Sequence, residues 1–286
     1  MMGHNKIDVT SKFIRTLSLV VIGCLALYGC GRGNPQGGNS PSSTSAANTP
    51  TVRVIVLGTI HSRHVTSEKY SLDILRDVIR SISPDYILTE IPPDRFGDAM
   101  TSFQTTGSVT EERVLRFPEY TDVVFPLLNE MDFTIIPTAA WTKPMAEFRT
   151  AALNRLARDE SRKDDWASYT AALDVMNAKL KGREDDPEFI HSNSYDVIIK
   201  TGLAPYAKNF ENDLGSGDWE GINKAHYELI EHAIGDIQGS HARDETLTIL
   251  ITYGAAHKYW FLEKLRARDD ISVVNPIPYF NSATMP

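Results

Sequence analysis

The sequence has little cysteine. Its 286 residues include two, Cys24 and Cys30, and both lie close to the N-terminus. So few cysteines exclude a disulfide-stapled scaffold and a zinc site built from thiolates. Because both also fall in a predicted signal segment, we expect no thiol nucleophile in the mature chain.

Basic residues do not outnumber acidic ones either. The chain has 29 Lys and Arg against 37 Asp and Glu, which gives a net charge of −8, and its pI is near 5.5. Because nucleic-acid-binding proteins need a basic surface, we expect no nucleic-acid partner. With 42% hydrophobic and 23% charged residues, the composition is typical of a globular protein rather than a coiled coil or a disordered chain.

Long apolar runs are missing as well. The apolar run at residues 17–28 covers about 12 residues, which is too short for a helix that spans a bilayer. Lys6, Lys12 and Arg15 precede it. A basic flank followed by a short apolar core is the layout of a signal peptide. We therefore predict a signal peptide over residues 1–30.

The end of that segment, Leu27-Tyr28-Gly29-Cys30, resembles the bacterial lipoprotein box. The resemblance implies that Cys30 is lipidated and holds the protein to a membrane of the bacterial cell envelope, outside the cytoplasm. Residues 31–51, rich in Gly, Ser, Pro and Asn, are then expected to form a flexible tether. The alternatives are a plain secretory signal or an uncleaved anchor, in which Cys30 has no role.

Residues 52–286 are predicted to form a single α/β domain with a central, mainly parallel sheet flanked by helices. A helical pattern over residues 144–240 predicts an insertion above the carboxyl ends of the strands, and its charged stretch at 158–165 is either a solvated face or a break. Short β-branched and apolar runs predict strands, and amphipathic spacing predicts further helices. The predicted strands are 52–58, 86–90, 133–137, 246–253 and 271–274, and the helices are 71–82, 219–237 and 258–268.

Two of these strands end in the same pattern. Gly58-Thr59-Ile60-His61 follows the first strand, Gly254-Ala255-Ala256-His257 follows a late one, and Glu90 ends a strand between them. The carboxyl ends of parallel strands form the edge at which ligands bind. Two histidines and one carboxylate suit a divalent metal ion such as Mn, Co or Zn. We therefore predict His61, Glu90 and His257 as metal ligands and catalytic residues; otherwise each histidine only caps a strand.

These motifs resemble the superfamily that joins TraB/Tiki proteins, ChaN-like proteins and erythromycin-esterase-like hydrolases. The resemblance covers residues 52–95 and 240–275 and implies a hydrolytic α/β core, metal-dependent in the Tiki proteins, with a metal-free esterase branch and a haem-binding branch. It also implies an arginine shortly before the second Gly-x-x-His, and Arg243 matches. Arg243 is expected to stabilise an oxyanion or to form a surface ion pair.

We therefore predict a metal-dependent hydrolase that cleaves an ester or amide bond of a small molecule or peptide. The metal would polarise the carbonyl group and acidify a bound water molecule, and His64 is the nearest candidate general base. One alternative is a metal-free hydrolase in which Glu90 orients His61 as the base. Another is a non-enzymatic lipoprotein that binds haem or another ligand between the helices. His226 and His232 are six residues apart and cannot share one helix face as metal ligands.

Overall fold

The computed structural model describes residues 52–242 and 245–283. The predicted signal peptide, the lipidation site at Cys30, the tether and Arg243 lie outside these residues. Lipid anchoring and an extracytoplasmic location therefore stay predictions. Within the two described ranges, no helix has both the length and the apolarity needed to cross a membrane.

The core of the molecule is a sheet of five parallel strands, which confirms the predicted α/β class. The strand order is β3-β2-β4-β1-β5, so β4 lies between β1 and β2. The register places Thr59 beside Gly254, and the two Gly-x-x-His turns therefore leave the same edge of the sheet. The strands are β1 Val52–Thr59, β2 Tyr86–Thr89, β3 Thr134–Pro137, β4 Leu247–Gly254 and β5 Ile271–Val274.

The two longest strands, β1 and β4, are buried on both faces. Ile55, Leu57, Leu250 and Ile251 are fully buried. A strand covered by helices on both sides carries apolar residues on both faces, and this is why the two runs show little alternation with polar residues. Burial on both sides fixes their register and, with it, the positions of the turns that follow them.

Helices cover both faces of this sheet, and each of the predicted helices is present. The charged stretch at 158–165 contains a break, because one helix ends at Leu156 and the next begins at Lys163. The helices are α1 Leu72–Ile82, α2 Pro93–Thr106, α3 Phe125–Leu127, α4 Lys143–Leu156, α5 Lys163–Leu180, α6 Pro187–Ile190, α7 Asn193–Leu214, α8 Trp219–Ser240, α9 Lys258–Leu265 and α10 Ile277–Ala283.

The helices between β3 and β4 have a small core of their own. It lies between α4, α5 and α7. Helix α5 approaches α7 closely because Gly202 of α7, which has no side chain, leaves room for Met176 of α5. From this helical layer, α8 returns to the sheet and brings Asn223 and His226 to the strand ends. The buried members of this second core are Ala152, Leu156, Tyr169, Leu173, Tyr206, Phe210 and Leu214.

Candidate functional site

The carboxyl edge of the sheet brings together two of the three predicted ligands. His61 follows β1 and Glu90 follows β2, and His61 Nε2 lies 3.9 Å from Glu90 Oε2. The backbone N–H of Gly254, at the end of β4, donates a hydrogen bond to the same Oε2 at 2.8 Å. Three neighbouring strands therefore fix this contact, and the side chain of His61 keeps 20% of its surface exposed.

A second carboxylate, which the sequence analysis did not single out, holds the other side of the imidazole. His61 Nδ1–H donates to Glu119 Oε1 at 2.6 Å, and the Thr59 hydroxyl donates to the same oxygen at 3.0 Å. Glu119 begins a π-helical turn over residues 119–124 and is 1% exposed. It follows no strand, so strand-end reasoning could not find it; π-helical turns are, however, often found at functional sites.

The two carboxylates determine the charge of His61. Burial lowers the pKa of His61, but the attraction of Glu119, the hydrogen bond with it and the charge of Glu90 outweigh burial and raise the pKa to about 9. Burial disfavours ionised Glu119, but His61 lowers its pKa below the usual range. The remaining oxygens, Glu90 Oε1 and Glu119 Oε2, are buried without a hydrogen-bond partner in the described part of the chain.

Gly254 lets this cluster form. A Cβ atom at this position would lie 2.5 Å from His61 Nε2 and 3.4 Å from Glu90 Oε2. The glycine of the other turn has a different neighbour, since a Cβ at Gly58 would lie 3.0 Å from Ala255 Cα. Gly254 therefore makes room for the side chains of His61 and Glu90, and Gly58 makes room for the backbone of the turn after β4.

His257, the third predicted ligand, lies in an aromatic cluster beside the carboxylates. Its Nδ1–H donates to Asn223 Oδ1 at 2.7 Å, and its ring stacks on Trp219 with the ring centres 4.9 Å apart. Burial lowers the pKa of His257, so the ring is neutral with a lone pair on Nε2. In residues 52–242 and 245–283, no three His, Cys, Asp or Glu side chains converge as a metal-binding group.

His64, the predicted second base, has a structural position. The N–H of Ile60 donates to His64 Nε2 at 3.0 Å, and His64 Nδ1–H donates to the carbonyl of Tyr70 at 2.7 Å. The ring is 1% exposed, and burial lowers the pKa of His64. Both ring nitrogens are therefore occupied by the backbone, and the mechanism proposed below does not use His64.

An arginine that the sequence analysis did not single out adds a positive charge. Arg113 is 9% exposed, and its guanidinium carbon lies 5.4 Å from the ring centre of Phe117. The same ring packs edge-on against His61, with centres 5.1 Å apart. Burial lowers the pKa of Arg113, whereas the attraction of Glu90 opposes this shift. A desolvated cation therefore accompanies the two carboxylates.

Comparison with known proteins gives this site no precedent. No family model, no curated protein and no solved structure matches the chain. The resemblance to the TraB/Tiki, ChaN-like and esterase-like superfamily therefore stays a prediction. The function has to be argued from the side chains at the sheet edge.

Proposed function

We propose that the protein is a hydrolase of an ester or amide bond and that His61 and Glu90 are its acid–base pair. The observation that supports this most directly is the placement of His61 between two buried carboxylates at the carboxyl edge of the sheet. A histidine oriented by one carboxylate through Nδ1 presents only Nε2 to a substrate. Here Nε2 faces the second carboxylate and the partly exposed side of the ring.

Each side chain then has a definite task. Glu119 holds the proton on Nδ1 and stabilises the imidazolium. The Glu90 carboxylate takes a proton from the attacking water molecule, and His61 Nε2–H gives one to the leaving group, so the two transfers balance. The desolvated charge of Arg113 stabilises the negative charge that develops on the carbonyl oxygen.

A divalent metal ion remains part of the proposal as an alternative to this acid–base pair. His61 Nε2 and Glu90 are close enough together to serve as two ligands, and Glu119 would orient His61 from the second shell. His257 has a free lone pair but does not converge with them into a three-ligand group. A metal bound there would polarise the carbonyl group of the substrate. The steps described above use no metal.

The test is hydrolysis by the purified full chain. We would assay p-nitrophenyl esters and peptide p-nitroanilides with the wild type, His61→Ala, Glu90→Gln and, as control, His232→Ala, whose side chain is 79% exposed. The first two variants should lower kcat/KM by about 10³-fold or more and the control should not. Unchanged activity in His61→Ala, or no hydrolysis by the wild type, contradicts the proposal.

The same assay separates the two forms of the proposal. Activity that survives exhaustive dialysis against a chelator supports the metal-free acid–base pair. Activity that is lost on dialysis and restored by Mn²⁺, Co²⁺ or Zn²⁺ supports the metal form. In that case, His257→Ala should weaken metal uptake by the folded protein if His257 is a ligand.

A further inference from the structure

Two buried N–H donors, one of them beside His257, have no acceptor among the described residues. Trp141 Nε1 and His226 Nε2 are buried and lack a hydrogen-bond partner in the described residues. The N–H of Ala140 donates to His226 Nδ1 at 2.8 Å, so the proton of the neutral ring is on Nε2. A buried donor without an acceptor costs about 1–3 kcal/mol. Two such donors side by side therefore suggest a ligand.

A positive charge lies beside these donors without a counter-charge. The Arg149 guanidinium carbon is 5.7 Å from the ring centres of Trp141 and Tyr206, and Arg149 Nε donates to the Tyr206 hydroxyl at 2.7 Å. Among the ion pairs of the described residues, none involves Arg149. Gly217 packs against both partners, because a Cβ there would lie 3.4 Å from Arg149 Cβ and 3.5 Å from Trp141 Cζ3.

The donors lie at the same edge of the sheet as the proposed reaction centre, next to His257. The ring centres of His226 and His257 are 5.4 Å apart, and those of Trp141 and His226 are 6.3 Å apart. Trp141 follows β3 along the same edge from which His61, Glu90 and His257 emerge. A substrate bound at His61 therefore has a second polar contact region further along this edge.

We propose that Trp141, His226 and Arg149 form a subsite for an anionic group of the substrate, a carboxylate or a phosphate. The inference rests on the proposed function and narrows its substrate class to esters or amides that carry a negative charge. A cation is disfavoured because all three groups are donors and one is charged. The anionic end is bound by this subsite while the scissile bond lies at His61.

The test is anion binding by the full chain. We would titrate the protein with acetate, inorganic phosphate and neutral acetamide at constant ionic strength and follow the indole N–H resonance of Trp141, assigned with Trp141→Phe. Acetate or phosphate should shift it saturably, acetamide should not, and the tighter anion identifies the group. Arg149→Gln should weaken binding at least about tenfold. Arg155→Gln, on the same helix but exposed and paired with Asp213, should not.

Two outcomes would overturn the inference. One is the absence of a saturable shift with either anion. The other is equal binding by the wild type and Arg149→Gln. If Arg149→Gln lowers the unfolding midpoint, Arg149→Lys replaces it; because lysine keeps the charge but not the planar fork, it should bind measurably more weakly, and wild-type affinity in the folded lysine variant counts against the subsite.

Failure of this inference can be told from failure of the proposed function. His61→Ala should be inactive in hydrolysis but bind the anion with wild-type affinity, because His61 is not part of the subsite. An active wild-type enzyme without an anion shift refutes the subsite alone. An inactive wild-type protein with a normal shift refutes the hydrolase alone.

Discussion

The turns after β1 and β4 have the same Gly-x-x-His pattern, yet they give their histidines opposite surroundings. His61 lies between the carboxylates of Glu119 and Glu90, which raise its pKa to about 9. His257 donates to the neutral amide of Asn223 and stacks on an indole ring, and burial lowers its pKa. The turns fix where each ring is, and the segments packed against them decide its charge.

This difference divides the edge of the sheet into two parts. The acceptor half, formed by His61, Glu90 and Glu119, has two carboxylate oxygens that find no partner among the described residues. The donor half, formed by Trp141, His226 and Arg149, has N–H groups that find no acceptor there, and a positive charge. A water molecule or an amide N–H at the acceptor half and an anionic group at the donor half would complement both halves at once.

The largest effect that we expect is a loss of activity when the charge of Glu119 is removed from the acceptor half. Glu119→Gln keeps the shape of the side chain but removes the charge that stabilises the imidazolium. It should lower kcat/KM by about 10²–10³-fold. Asp122→Asn, in the same π-helical turn, is the control, since Asp122 is exposed and its carboxylate accepts a hydrogen bond from the neighbouring Thr121 hydroxyl. Activity of Glu119→Gln within about threefold of the control would mean that His61 needs no carboxylate on Nδ1.

The second effect concerns the turn that holds His257. The next residue, Lys258, is 1% exposed, and its ammonium group bonds to Asp196. Asp196→Ala leaves a buried charge unpaired and should lower the free energy of unfolding by about 3 kcal/mol, measured in urea. Glu263→Ala breaks the exposed pair with Lys200 and should cost less than about 1 kcal/mol. Equal losses would show that Lys258 is solvated.

The two motif glycines should respond differently to alanine. Gly254→Ala places a methyl group against His61 Nε2 and should lower kcat/KM about 30-fold, about 2 kcal/mol, with little loss of stability. Gly58→Ala presses on the backbone of Ala255 and should cost about 1–2 kcal/mol of stability. Activity and unfolding measured on both variants check this. If Gly254→Ala lost mainly stability and Gly58→Ala mainly activity, then Gly254 would not be the glycine that makes room for His61.

The last effect is a pH dependence of stability and comes from two histidines outside both halves. Gly58 N–H donates to His191 Nε2 at 3.0 Å, as Ile60 N–H does to His64 Nε2. Burial lowers the pKa of His191 to about 3 and that of His64 below its usual value. Because the unfolded pKa is about 6.5, the stability contribution of each histidine is complete above that pH and is lost as the pH falls through its lowered folded-state pKa, which is about 3 for His191.

We therefore expect His191 alone to lower the free energy of unfolding by about 2 kcal/mol between pH 7 and pH 5. Urea unfolding at both pH values measures the drop. His191→Asn removes one of the titrating groups and should make the drop smaller, whereas His232→Ala, at an exposed position, should leave it unchanged. Stability that is constant across this range would mean that both rings accept protons in the folded state.

Most of the sheet could be predicted because strand signals are local. Runs such as Val54-Ile55-Val56-Leu57 identify a buried strand without knowledge of its neighbours. Helix α7 could not be recognised in this way, since it contains Gly202 and Pro205 and depends on contact with α5. Tertiary packing overrides weak local propensity there.

The candidate site was predictable only in part, for a related reason. His61 and Glu90 end strands, and parallel strands share an edge, so their meeting follows from topology. The choice of Glu119 as the partner of His61 depends on a π-helical turn whose sequence has no comparable signal. The spacing between His226 and His232 shows that the two cannot bind one metal ion from the same helix face. The hydrogen bond between His226 and Ala140 could not be predicted, because it joins residues 86 positions apart.

The position of β4 between β1 and β2 has a consequence for how the protein is made. Glu90 leaves the ribosome 164 residues before Gly254, the group that anchors it. Until then β1 and the β2–β3 pair lack the strand that joins them, and their edges are open to other chains. Open strand edges of this kind favour aggregation, and a fragment that stops before β4 has neither a continuous sheet nor the Gly254 N–H that holds Glu90.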